Sequence, residues 1–188
     1  MRKIWRIKDP NLAVQKNFYS ELKISKITAQ LLSNRGIDNA KEAVEFLACS
    51  LSSCHDPFLL KDMEKAAARI KEAIRGKENI LIYGDYDVDG MTSAALLYTA
   101  LKRLGAIVET YIPNRLEEGY GLNVAAIKKA YKNGISLIIT VDCGIGSFQE
   151  IEHARAFKID VIVTDHHEIV DKRLPPAYAI INPLQESC

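Results

Sequence analysis

The chain has 188 residues, 48% hydrophobic and 26% charged, which is enough apolar material for one full core and a small second unit. Lys and Arg number 25 against 24 Asp and Glu, so the formal net charge is +1; any nucleic-acid contact has to come from a local patch, and bulk charge argues for no partner. The longest uncharged apolar-rich window, residues 90–101, contains Thr and Ser and stops at Lys102, short of the roughly 18 apolar residues that a membrane span needs.

The amino terminus is basic, but Lys8, Asp9 and Pro10 stand where a secretory signal would carry its apolar run, so a cytoplasmic location is expected. Cys49, Cys54, Cys143 and Cys188 form no CxxC pair and no regular spacing, which argues for reduced thiols over a disulfide frame or a zinc knuckle.

Residues 1–76 read as helical, with apolar residues at three- and four-residue steps through 27–32, 40–47 and 63–74. Gly36 is a predicted helix stop, and residues 54–57 are a predicted loop. From residue 77 onward, short apolar runs at 80–83, 107–112, 137–141, 161–163 and 178–181 alternate with helical patterns at 92–104, 124–132 and 148–157. The runs do not alternate in polarity, as expected of strands buried on both faces of a parallel sheet. The predicted fold class is therefore α/β: a doubly wound, mainly parallel five-stranded sheet over residues 77–188, with an amino-terminal helical preface over residues 1–76.

In such a sheet ligands lie beyond the carboxyl ends of the strands, and four of the five ends carry chemistry. The first run leads into Asp85, Asp87 and Asp89, the second into Pro113-Asn114-Arg115, the third into Asp142-Cys143-Gly144, and the fourth into Asp165-His166-His167. Alone, the triple-Asp segment is also what a turn with an Asp helix cap looks like. Together with Asp142 and the two histidines, it makes a carboxylate and imidazole set that suits manganese or magnesium better than a thiolate-preferring metal. Paired divalent cations are a usual device for phosphoester hydrolysis, so a phosphoester substrate is expected.

These segments resemble the ordered motifs of the DHH phosphoesterase superfamily: Gly84-Asp-Tyr-Asp-Val-Asp-Gly90, Arg115-Leu-Glu-Glu-Gly-Tyr-Gly-Leu122, Val141-Asp-Cys-Gly144 and Asp165-His-His167. Within it they are most similar to the branch of single-stranded-DNA exonucleases, a likeness that reaches into the preface at residues 56–63. The resemblance implies 5′-to-3′ degradation of single-stranded DNA in repair and recombination, with two manganese ions and magnesium as the substitute. It implies Asp87, Asp89 and His166 as metal ligands and Asp142 as the carboxylate that bridges both ions. Many superfamily members carry a histidine ligand where this chain has Tyr83, so either Asp85 takes over that role or one ion is held differently. His167 is expected to contact the phosphate or support the site, and Arg115, with Tyr120 and Gly121 at the start of a helix, to meet the DNA phosphate. The superfamily continues past the position of Cys188 with a further aspartate ligand and a closing domain, so the chain is expected to be an amino-terminal part.

Other readings stay open. Arg115 could instead pair with Glu117 or Glu118 at the surface. Cys143 could be a thiol nucleophile or a small packed residue, and Lys128, Lys129 and Lys132 could track a backbone or form a solvated helix face. His55 and His153 read as solvated or locally hydrogen-bonded. Alternative functions are a phosphatase or oligonucleotidase of the same superfamily acting on small nucleotides, a haloacid-dehalogenase-type phosphatase, which leaves Asp165-His166-His167 unexplained, and a non-catalytic replication scaffold. Repair or replication proteins are possible partners of unknown identity.

Overall fold

The computed structural model describes residues 4, 8–48, 50–119, 121–186 and 188. The chain divides into two compact units, residues 1–55 and residues 56–188. In the first, helices α1 (Leu12–Leu22), α2 (Lys26–Asn34) and α3 (Ala40–Ala48) enclose a small core of Phe18, Ala29, Leu32 and Ala43. Helix α1 lies outside the three windows singled out by periodicity; Asn11 caps it by accepting from the Val14 amide at 3.2 Å.

The second unit opens with helix α4 (Met63–Gly76) and continues through β1 (Asn79–Gly84), α5 (Val88–Arg103), β2 (Ile107–Tyr111), α6 (Val124–Lys132), β3 (Ile135–Val141), α7 (Phe148–Ala156), β4 (Asp160–Thr164) and β5 (Ala179–Ile181). All strand pairs are parallel and the order is β2-β1-β3-β4-β5. The expected doubly wound sheet is present, and it is parallel throughout. The winding reverses between β1 and β3, which opens a crevice at their carboxyl ends.

Alternate residues of β1, β3, β4 and β5 go to opposite faces. Ile80, Ile82, Leu137, Ile139, Ile162 and Ala179 pack beneath α4 and α5, while Leu81, Tyr83, Ile138, Val161, Val163 and Ile180 pack beneath α6 and α7. Full burial on both faces explains the unbroken apolar runs. Strand β2, at one sheet edge, is the exception: Val108 alone of its residues is buried, whereas β5 at the other edge is buried throughout.

The boundary expected after residue 76 falls instead between His55 and Asp56. Helix α4 belongs with the sheet: Ala66 and Ala73 are buried in its core, and Arg69 reaches Glu78 and Asp160 at 2.7 Å each. The connection from β4 to β5 contains only a 3-10 turn at Val170–Lys172, so no crossover helix covers β5 there, and α4 packs on that strand. A periodicity pattern reports that α4 is a helix and is silent on what it packs against.

Candidate metal centre

The first wall of the site is built where β1 ends. Asp85 is buried, and its Oδ1 accepts from the Tyr86 amide at 2.7 Å. Helix α5 starts at Val88, four residues before the expected start at residue 92, because Asp87 caps it by accepting from the Gly90 amide at 3.0 Å. That bond holds the Asp87 carboxyl below the usual carboxylate range. Gly90 permits this close approach, since a Cβ there would lie 2.4 to 2.7 Å from the Asp85 backbone. Asp89 is exposed in the first turn of α5.

The second wall is the turn after β3. Asp142 adopts left-handed backbone geometry (φ 62°), with its amide donating to the Thr164 carbonyl at 3.0 Å. Gly144 (φ 109°) is needed next, because a Cβ there would stand 2.8 Å from Thr140 Oγ1, whose hydroxyl donates to the Cys143 carbonyl at 2.7 Å. Cys143 is fully buried and burial pushes its thiol up, which fits a packed residue and not a nucleophile.

The third wall follows β4. The Asp165 side chain is 1% exposed, and its carboxylate accepts from the amides of Ile145, His166 and His167 and lies 2.7 Å from His167 Nδ1. This bond raises the His167 pKa and fixes the ring through Nδ1. Asn182, buried between the sheet and this loop, donates to the His167 carbonyl at 3.0 Å. The roles of Asp165 and Asn182 were not expected from sequence: acceptor counts and loop anchors carry no spacing signal.

The three walls meet at Asp142. One ligand atom from each of Asp85, Asp87 and Asp142 lies within 4.8 Å of the others, and the same holds for Asp142, His166 and His167. His166 Nε2 is 2.8 Å from Asp142 Oδ1, whereas Asp142 Oδ2 is buried with no hydrogen-bond donor among the described residues. Burial and the neighbouring Asp87 carboxylate push the Asp142 carboxyl up, against the pull of His166. A buried carboxylate oxygen without a donor, between a second carboxylate and an imidazole, fits a divalent cation. Asp89 falls outside both groups, while His167, expected to support the site, falls inside one.

Tyr83 takes no part in this cluster. Its ring packs in the core 5.3 Å from Tyr111, and its hydroxyl donates to the Gly121 carbonyl at 2.9 Å. Gly121 therefore anchors the loop after β2; the helix start lies further on, at Asn123, whose side chain already accepts from the Ala126 amide at 2.7 Å. This cap takes up one of the first-turn amides of the helix, that of Ala126. Tyr120 lies outside the described residues. Arg115 stacks over Tyr86 at 5.1 Å and, among the described residues, makes no ion pair with Glu117 or Glu118; Glu118 is engaged by the Tyr111 hydroxyl and the Asn114 amide. Lys128 is exposed, and Lys129 lies 5.7 Å over the Tyr111 ring. His153 Nδ1 contacts the Gln149 carbonyl at 2.7 Å on an exposed helix face, and His55 is exposed.

A doubly wound parallel sheet with a carboxylate and imidazole cluster at its switch point defines an α/β domain with a strand-end metal centre. Residues 79–188 match the N-terminal domain of the DHH family, and the chain belongs to that family. It is 44% identical over 184 residues to the single-stranded-DNA-specific exonuclease RecJ of Bacillus subtilis, covering 98% of this chain and 23% of that protein. Two solved structures are similar. One is RecJ from Thermus thermophilus in complex with Mn2+ (TM-score 0.68, 30% identity, 93% of this chain and 24% of that one). The other is exonuclease RecJ bound to manganese (TM-score 0.64, 38% identity, 69% and 33%). The chain spans about a quarter of the length of the curated relatives it matches. No helix among the described residues is long and apolar enough to cross a membrane.

Proposed function

We propose that this chain carries the metal-binding residues of a manganese-dependent phosphodiesterase that degrades single-stranded DNA from its 5′ end in cytoplasmic repair and recombination, with magnesium as the substitute ion. The observation that carries the reading is the position of Asp142, whose carboxylate belongs to both ligand groups at once. The names of the similar proteins, single-stranded-DNA-specific exonucleases and manganese-bound RecJ, supply the substrate and the ion.

Asp85, Asp87, Asp142, His166 and His167 would hold the cations, with Asp89 beside them on α5. Bound divalent cations would supply an activated water and offset the charge of the reacting phosphoryl group. Asp165 holds His167 in one orientation and tautomer, so that ring is prepared to ligate or to contact the phosphate. Arg115, steadied on the Tyr86 ring, presents a guanidinium able to hold a phosphate through two parallel hydrogen bonds and so positions the backbone. Gly121 shapes the loop that carries it.

The test is manganese-dependent release of label from 5′-labelled single-stranded and duplex oligonucleotides. Release of mononucleotides from the single strand, absent in Asp142→Asn, is expected. Cleavage of dinucleotides with longer strands untouched would make the chain a small-substrate phosphoesterase, and failure to bind manganese would make it a scaffold.

A further inference from the structure

A cavity of about 440 Å3 adjoins the cluster at the head of α7, with Asp165 and His167 in its wall. The turn at residues 144–147 forms another wall. Residues 147–150 read Ser-x-x-Glu, a pattern in which the serine hydroxyl normally accepts from the amide three residues on and closes the helix end. Here that bond is not made. The Phe148 amide turns back to the Gly146 carbonyl at 3.0 Å, and the first helical bond runs from the Ile151 amide to the Ser147 carbonyl at 3.1 Å. The amides of Gln149 and Glu150 are left without an acceptor among the described residues.

Ser147 is the second observation. It is 9% exposed, it lines the cavity, and its hydroxyl has no hydrogen-bond partner among the described residues. Ser147 and Glu150 border the cavity, and the amides of Gln149 and Glu150 lie in the same first turn of α7, at the positive end of its helix dipole. A phosphate offers several oxygens to donors arranged in this way.

We infer that this cavity holds a second phosphate of the bound strand, next to the phosphodiester at the carboxylate cluster. The strand as its source rests on the proposed nuclease reading; the anion site does not. Continuity through Asp165 and His167 makes a neighbouring phosphate of the same backbone the occupant. Glu150 and Asp165 both line the cavity, so the anion binds against two carboxylates; Asp165 is engaged by three amides and His167, Glu150 is not, and Glu150→Gln tightens the anion.

The experiment follows the amide resonances of Gln149 and Glu150 in 15N-labelled chain without metal, first with inorganic phosphate and then with a short oligothymidylate. Both additions are expected to shift both amides. Ser147→Asp, which supplies a favourable helix cap and keeps the fold, is expected to abolish both responses and to lower the log-log salt slope of oligothymidylate binding by roughly 0.7, the value for one lost contact. Ser147→Ala is expected to weaken both responses several-fold. The anion site is overturned if phosphate moves neither amide, or if Ser147→Asp binds phosphate as the parent does. If phosphate shifts the amides but bound oligothymidylate does not, the strand assignment falls. If the parent binds no oligothymidylate at all, the nuclease reading fails and the strand assignment with it, while the phosphate titration still decides the anion site.

Discussion

His166 Nε2 lies 2.8 Å from Asp142 Oδ1, joining the end of β4 to the end of β3 through the carboxylate that also neighbours Asp85 and Asp87. Removing that carboxylate should separate metal affinity from fold stability. Asp142→Asn is expected to abolish manganese binding at both positions, whereas Asp87→Asn weakens mainly one. Asn tolerates the left-handed backbone at this position and removes a buried charge whose Oδ2 has no donor among the described residues. The metal-free variant should therefore melt about 2–4 °C above the parent, the shift that roughly 1 kcal/mol produces in a chain of this size. Calorimetric manganese titration and thermal melting read the two effects; two ions bound as in the parent would remove Asp142 from the bridging role.

Asp165 acts through His167. Its carboxylate takes three backbone amides and one ring nitrogen, and an Asn in its place keeps one acceptor oxygen. Asp165→Asn should cost about 1–3 kcal/mol in denaturant unfolding, the penalty for leaving buried donors unsatisfied. It should also lower manganese affinity by about 10–100-fold, as losing an orienting partner does. Unchanged affinity in a folded variant would show that His167 stays out of the metal shell.

Gly90 gives a test of sign. A helical Gly→Ala change ordinarily stabilises by about 1 kcal/mol, but a Cβ here would stand 2.4 to 2.7 Å from the Asp85 backbone. Gly90→Ala is expected to destabilise by about 1–3 kcal/mol and to displace Asp85 from Asp87. A raised denaturation midpoint would contradict the close approach.

Arg69 ties α4 to the sheet through Glu78 and Asp160. Arg69→Met should cost on the order of 2–3 kcal/mol at pH 7, below the roughly 3–5 kcal/mol of a fully buried pair because both carboxylates keep some water. The Arg69 guanidinium holds the Glu78 carboxyl below its usual range. Stability from this pairing is therefore fully present above the ordinary carboxyl value, about 4.3, and is lost as pH falls through the lower folded value. The gap between parent and Arg69→Met in urea unfolding should narrow below about pH 4; a constant gap down to pH 2 would rule out the ion pair as its cause.

Helix α6, all five strands, the parallel winding and the strand ends that carry the acidic and imidazole groups were legible in the sequence, because burial on both faces writes unbroken β-branched runs and strand-end ligands are short local motifs. Asp142, His166 and the Asp85 to Asp89 segment could be read one by one in the same way. Tertiary structure alone decided how they meet. It left Asp89 outside both ligand groups, made Asp165 the anchor of His167, and turned Tyr83 into the core to hold Gly121. It also moved α4 from the helical preface onto β5 and left Ser147 uncapped over a cavity. Local pattern depends on neighbours within a turn or a pleat, whereas these outcomes depend on which distant residues the sheet brings within hydrogen-bonding range.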